Sequence, residues 1–115
     1  MEWEVMLPDR KTPDEWSHSK FLEAVQEQLI KDFEWDAERV TSASISLLQL
    51  LEDHISWSLD RNATPVFTAF YRLDLGEGLV RSILHDCDQE EASKQLAEKS
   101  LQRAALKVWT RWSYS

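Results

Sequence analysis

Apolar residues recur at steps of three and four positions along most of this chain, the spacing that gathers side chains on one face of an α-helix. The spacing is most regular at 45–59. We therefore predict that this segment forms the central helix of a bundle. Its apolar positions are Ile45, Leu47, Leu48, Leu51, Ile55 and Leu59.

Start signals divide the periodic sequence into five predicted helices. Proline follows a threonine cap in two places, and an acidic residue three positions after the cap completes a capping box in three. The predicted N-cap residues are Thr12, Asp36, Thr64, Asp74 and Asp88. The predicted helices span 13–33, 37–60, 65–73, 75–86 and 89–112.

The segment 40–47 is the least regular part of the second predicted helix. Small polar and apolar residues alternate there, which is also typical of a strand. In that alternative, Ser42 or Ser44 caps a shorter helix. The longer periodic segment that follows is helical in either case.

Residues 1–12 have a different pattern from the rest of the chain. Charged and apolar residues alternate at the start of 2–7, and Pro8 ends the segment. We expect an extended arm that lies on the bundle or on another subunit, with Trp3 as its anchor. The short connections between helices predict one all-α domain over 1–115, a compact bundle of about five helices.

Two motifs suggest a relationship to other proteins. YRLDLGE at 71–77 and RAALKV at 103–108 resemble stretches of small uncharacterised all-helical bacterial proteins. The resemblance covers roughly the last half of the chain and implies an all-helical fold. It implies no activity, cofactor or site residue.

The charge balance limits the possible partners. The chain carries 21 acidic and 13 basic residues, a net charge of −8. The last predicted helix is an exception, because 89–115 contains 3 acidic and 5 basic residues. An acidic protein is disfavoured as a partner of nucleic acid, which leaves only the last helix for such binding.

Cysteine usage and hydropathy indicate the compartment. Cys87 is the single cysteine, which excludes an internal disulfide and fits the reducing cytoplasm. No segment has the apolar run of a membrane span, and the first residues lack the pattern of a secretory signal. We expect a cytoplasmic protein with no membrane association.

Four basic residues recur at four-residue steps in the last predicted helix, which places them along one ridge. Such a ridge can bind an anionic ligand, an acidic partner or RNA. Alternatively, it is a solvated helix face paired with acids of the first or second helix, which the charge balance favours. The residues of this basic ridge are Lys99, Arg103, Lys107 and Arg111.

Six tryptophans invite a binding role. Exposed aromatic residues concentrate in interfaces, so a tryptophan outside the core faces of the helices is a candidate contact with a partner protein or a second copy. The tryptophans at core positions are Trp16, Trp57 and Trp112. The candidate interface residues are Trp3, Trp35 and Trp109.

A pocket between the second and fifth predicted helices is the alternative site, for a small-molecule or enzymatic function. We expect His54, Arg103 and Trp109 to face it. His54 also suits a half-buried position with a hydrogen-bonded ring nitrogen. Asp53 and His54 can form an acid–base pair only if both face a cleft, and on one helix they diverge by about 100°.

No residue set meets the requirements of a catalytic, cofactor or metal site. Glu15 and His18 have the spacing of a di-iron ligand pair, but such sites need that pair twice and two further glutamates. The end of the fourth predicted helix is enough to explain His85 and Cys87 without metal or thiol chemistry. The acidic segment 32–38 lacks the glycine of a calcium loop, so we expect it to be a solvated turn. The sequence thus favours a protein-interaction or oligomerisation module over an enzyme, and the expected partner is another protein or a second copy of the chain in a homo-oligomer.

Overall fold

The computed structural model of this chain describes residues 6–7, 13, 15–41 and 46–114, apart from the side chain of residue 41. Every regular element within these residues is an α-helix. The radius of gyration is 13.9 Å, close to the value of about 13 Å expected for one domain of this length. The predicted all-α single domain is therefore confirmed. The helices are α1 (His18–Phe33), α2 (Ala37–Thr41), α3 (Leu47–Arg61), α4 (Thr64–Arg72), α5 (Glu77–Asp86) and α6 (Gln89–Ser113).

The long helix α6 is the centre of the bundle. It packs against α1, α3 and α5, and its contact with α3 is the most extensive. Most of the segment predicted to be central belongs to α3, which is the main neighbour of α6. The residues that α6 buries are Ala92, Ser93, Leu96, Ala97, Ser100, Leu101, Ala104, Ala105 and Val108.

Small side chains make up much of the buried face of α6. The hydroxyls of Ser93 and Ser100 are buried without a hydrogen-bond partner in the described structure. Ser58 is buried on α3 as well. Because the core is close-packed, a larger side chain at any of these positions would push α6 and its neighbours apart.

Helix α1 begins at residue 18, five residues later than predicted. The Oγ atom of Ser17 accepts a hydrogen bond from the backbone N of Lys20 at 3.3 Å, so Ser17 is the cap. Trp16 stacks on Phe21, with ring centroids 5.8 Å apart. This contact is a hydrophobic staple across the helix start. It favours a start at residue 18 over the start at residue 13 that the threonine–proline signal predicts.

The second predicted helix is divided into α2 and α3. Ser46 caps α3, because its Oγ atom accepts a bond from the backbone N of Gln49 at 3.2 Å. The strand alternative is wrong at 40–41 and at 46–47, while 42–45 lie outside the described residues. The cap of the shorter helix is therefore Ser46, two or four residues after the serines proposed for it.

The starts of α4 and α5 also differ from the prediction. The N-cap of α4 is Ala63, so Thr64 is the first residue of the helix and not its cap. The backbone N of Thr64 donates to Asn62 Oδ1 at 3.3 Å. Asp74 adopts a left-handed conformation with φ 57°, and Leu75 N donates to Phe70 O at 3.1 Å. These features are those of a Schellman motif that ends α4. Asp74 therefore cannot cap α5, which begins after Gly76.

The prediction for α6 is confirmed at its start, because Asp88 Oδ1 accepts a bond from the backbone N of Glu91 at 2.9 Å.

The predicted arm lies mostly outside the described residues. Of its residues, Met6 and Leu7 are described, and both are buried in the core. Within the described structure, no helix combines the length and hydropathy needed to cross a bilayer.

Candidate functional site

The basic ridge of α6 lies against the C-terminal end of α4. Lys107 Nζ donates to the backbone O of Arg72 at 2.7 Å, and Arg103 Nε donates to that of Leu73 at 3.0 Å. Carbonyls at a helix C-terminus lack partners within the helix, and the helix dipole favours positive charge there. These two basic residues therefore stabilise a helix end of their own chain.

A buried carboxylate of α1 also contacts the basic ridge. Asp32 is 5% exposed, and its Oδ2 atom accepts bonds from Lys107 Nζ at 3.2 Å and from Gln28 Nε2 at 2.9 Å. Arg111 donates to Gln28 Oε1 at 3.2 Å. The prediction of a solvated turn is wrong for Asp32, because α6 supplies the cation and α1 the amide that allow a carboxylate to be buried.

The remaining member of the ridge, Lys99, is half-buried and has no polar partner within the described part of the chain. An anion or RNA at the ridge would therefore have to displace internal hydrogen bonds at three of its four positions. This geometry favours the interpretation of the ridge as a helix face paired within the chain.

The burial of the tryptophans differs in part from the prediction. Trp57 is 55% exposed, so its predicted core position is wrong. Trp16 and Trp112 are partly buried and contact each other edge to face, with centroids 5.3 Å apart. Trp35 and Trp109 are also partly buried against the core, while Trp3 lies outside the described residues. Their role in an interface stays a prediction.

A groove lies where α2 and the turn after α1 approach α3. Its volume is about 660 Å³, within the range of roughly 300–1,000 Å³ that ligand pockets occupy. Apolar and acidic side chains share its lining. The lining residues, called the aromatic groove below, are Glu34, Trp35, Asp36, Arg39, Val40, Leu50, Asp53, His54 and Trp57.

Helix geometry explains the contribution of α3 to the aromatic groove. Its four lining residues follow the steps of three and four that place side chains on one stripe of a helix. A second stripe, beside the first, faces the core. The groove stripe consists of Leu50, Asp53, His54 and Trp57. The core stripe consists of Leu47, Leu51, Ile55 and Ser58.

The turn after α1 forms the other side of the groove. Glu34 is left-handed with φ 55°, and Trp35 N donates to Ile30 O at 3.0 Å, which is again a Schellman motif. The Trp35 ring then stacks on that of Phe33, with centroids 5.1 Å apart. Asp36 Oδ1 accepts a bond from the backbone N of Glu38 at 3.0 Å, which starts α2 directly after the turn.

His54 lies between the two sides of the groove. Its ring meets those of Trp35 and Phe33 edge to face, with centroids 5.4 and 5.8 Å away. Burial lowers the pKa of the His54 imidazole below its usual value of 6.5. No ring nitrogen has a hydrogen-bond partner in the described structure, so that part of the expectation for His54 is wrong. A neutral imidazole is therefore available to a ligand in the groove.

The lowered pKa of His54 predicts a pH-dependent stability. As the pH falls below the unfolded-state pKa of about 6.5, the unfolded chain takes up a proton more readily than the folded chain. His54 therefore stabilises the fold fully above that pH, and this contribution is lost as the pH falls through the folded-state pKa. We expect His54→Gln to flatten this part of the pH profile, measured by urea unfolding between about pH 7.5 and about pH 5.5.

His85→Gln is the matched control for this measurement. The His85 side chain is 85% exposed and lies beside Asp86 at the end of α5. Its replacement should leave the slope attributed to His54 in place. Equal slopes in the wild type and in His54→Gln would contradict the prediction.

In each carboxylate of the aromatic groove, one oxygen accepts a hydrogen bond. Asp53 Oδ1 accepts from Gln49 Nε2 at 2.8 Å, and Glu34 Oε2 accepts from Arg72 at 3.3 Å. The bond to Asp36 Oδ1 is the cap of α2. In the described structure, the second oxygen of each carboxylate has no hydrogen-bond partner. The groove therefore presents free acceptors, and its lining contains three acids and one arginine.

The structure does not bring together the three residues of the predicted pocket. His54 lines the aromatic groove, whereas Arg103 bonds to the end of α4 and Trp109 packs against the core. Neither of the latter two lines this groove. The prediction fails because α3 and α6 are in close contact and because Arg103 is attracted to unpaired carbonyls from another helix.

The other candidate clusters have structural explanations. His85 Nδ1 lies 3.0 Å from Asp86 Oδ1 at the exposed end of α5. Cys87 is half-buried at the C-cap of α5, and Gln95 Nε2 lies 3.5 Å from its Sγ atom. No group of three or more histidine, cysteine or acidic residues in the described structure has an arrangement that could hold a metal ion.

No protein-family model, curated protein or solved structure matches the chain at a significant level. The class of protein is therefore described from its fold and its groove alone. It is an all-α single domain with an acidic, tryptophan-lined groove on the α3 side of the bundle.

Proposed function

We propose that this chain is a cytoplasmic protein-interaction module whose docking site is the aromatic groove. Trp57 carries the proposal, because its large indole is 55% exposed in a concave site. Tryptophan is among the residues that most often anchor an interface, where partner binding removes its apolar surface from water. The cytoplasmic location is supported by the single, unpaired cysteine.

Charge complementarity indicates the chemistry of the partner. Among the described lining residues, Glu34, Asp36 and Asp53 outnumber the one cation, Arg39, although Arg72 pairs with Glu34, and the whole chain carries a net charge of −8. Apolar side chains such as Leu50 and Trp57 line the same groove. The segment that fits is therefore one from another protein that carries basic side chains interspersed with apolar ones.

A second copy of the chain is a poorer occupant than a basic partner. A twofold contact between two grooves places the same surface on both sides, so the acids of one copy would face the acids of the other. Like charges directly opposite one another repel and disfavour the complex. We therefore expect a monomer by light scattering, and a dimer that Trp57→Ala dissociates would contradict the choice of partner.

A synthetic peptide of alternating arginine and leucine residues tests the proposed docking site. We expect the 115-residue chain to bind it, and we expect Trp57→Ala to weaken the binding about 30-fold, as the loss of an interface anchor does. Isothermal titration calorimetry measures both affinities. A peptide of alternating glutamate and leucine residues should show no binding.

Tyr71→Ala is the matched control, because Tyr71 is 87% exposed but does not line the groove. It removes an exposed aromatic side chain from α4 and should leave the affinity unchanged. Absence of binding by the wild type, or an equal loss in the two variants, would contradict the proposal.

A further inference from the structure

The structure already contains an arginine on the tryptophan of the aromatic groove. The guanidinium carbon of Arg61 lies 4.7 Å from the ring centroid of Trp57. The two residues are one helical turn apart at the end of α3. The contact shows that the Trp57 indole is placed where it can accept a cation on its face, and tryptophan is the best aromatic residue for that role.

A carboxylate lies next to the same indole. Asp53 and Trp57 are four residues apart on the groove stripe of α3, so their side chains are neighbours. Gln49 Nε2 bonds to Asp53 Oδ1, which leaves Oδ2 without a partner in the described structure. A planar cation on the indole would therefore have a carboxylate oxygen within reach of its edge.

Guanidinium and ammonium groups differ in how they use such a site. A guanidinium is planar, stacks on aromatic rings and donates along its edge to carboxylates, while an ammonium is a strongly hydrated point charge. The neighbouring His54 adds a ring nitrogen with no partner in the described structure, which suits an additional N–H donor. The combination of a flat ring and edge acceptors fits the planar group.

We propose that the aromatic groove recognises an arginine side chain of the partner, stacked on Trp57 and hydrogen-bonded to Asp53, in preference to lysine. This inference rests on the proposed docking function. Arg61 occupies the indole at the exposed end of α3, and such exposed contacts are weak enough for the arginine of a partner to replace them.

Two peptides of equal length and charge test the preference, one alternating arginine and leucine, the other lysine and leucine. The 115-residue chain should bind the arginine peptide about tenfold more tightly, and Trp57→Ala should abolish the difference. Equal affinities for the two peptides would overturn the arginine preference while leaving the docking function in place. Binding of neither peptide would overturn the docking function itself.

Two further variants examine the individual contacts, each with a control of the same charge change. Asp53→Asn should reduce the arginine preference, while Asp60→Asn, also on α3 but outside the groove lining, should not. Arg61→Gln should tighten binding of the arginine peptide about threefold relative to Arg81→Gln on α5, because it frees the indole. A preference that persists in Asp53→Asn, or an affinity for the arginine peptide that is the same in Arg61→Gln and Arg81→Gln, would contradict the proposed geometry.

Discussion

Lys107→Met is expected to lower the free energy of unfolding by about 3 kcal/mol, because it leaves a buried carboxylate without its cation. Asp32 is 5% exposed, and the ammonium of Lys107 lies 3.2 Å from its Oδ2 atom. The same ammonium also bonds to the backbone O of Arg72 at 2.7 Å. One substitution therefore removes the charge partner of α1 and a hydrogen-bond donor to the end of α4. Urea unfolding followed by far-UV circular dichroism measures the loss.

A second substitution separates the electrostatic cause from lost packing. Asp32→Asn in the Lys107→Met background removes the unpaired buried charge, so it should recover about half of the lost stability. Lys99→Met makes the same change on the same helix, at a lysine with no polar partner in the described structure, and should cost less than about 0.5 kcal/mol. Equal losses in the two lysine variants would show that the pair with Asp32 does not stabilise the fold.

Leu101→Ala is expected to cost about 3 kcal/mol, because it opens a cavity in the face of α6 that the other helices cover. Leu101 is fully buried near the middle of that helix. Leu79→Ala is the matched control, since Leu79 is 42% exposed on α5. Urea unfolding of the two variants compares the same chemical change inside and outside the core. A comparable loss in the control would contradict the central position of α6.

Helical periodicity predicts the class of fold, but not the starts of most helices. The predicted capping boxes use only residues within four positions of one another. The structure shows that such local signals compete with others. Asp74 is the left-handed residue that ends α4, so it cannot cap α5. At Asp36 and Asp88, which follow the terminal turn of the preceding helix, the local signal does determine the helix start.

The aromatic groove was only partly predictable. The sequence predicts Trp35 as an interface residue and His54 as a pocket residue, but its helical periodicity places Trp57 at a core position. On α3 the opposite occurs: Ser58 is buried and Trp57 is exposed. Close packing against the small residues of α6 admits the serine and excludes the indole. That effect depends on a neighbouring helix more than thirty residues away in the sequence, so a single segment does not reveal it.

The basic ridge illustrates the same limit. The sequence predicts its spacing and, as one interpretation, its pairing with acids of the first or second helix. The sequence does not predict the backbone oxygens of Arg72 and Leu73 as acceptors. An unpaired carbonyl can be recognised only when the end of its helix is known.

The internal use of the α6 cations affects how molecules approach this protein. The positive charges of α6 are directed at Asp32 and at the end of α4. Because acidic residues outnumber basic ones and the net charge is −8, the electrostatic potential around the protein is negative. Such a field steers a positively charged molecule during diffusional encounter and slows the approach of a polyanion. At physiological ionic strength it extends about 8 Å from the surface. Internal bonds at one side of the bundle thus make the remaining surface selective before any contact is made.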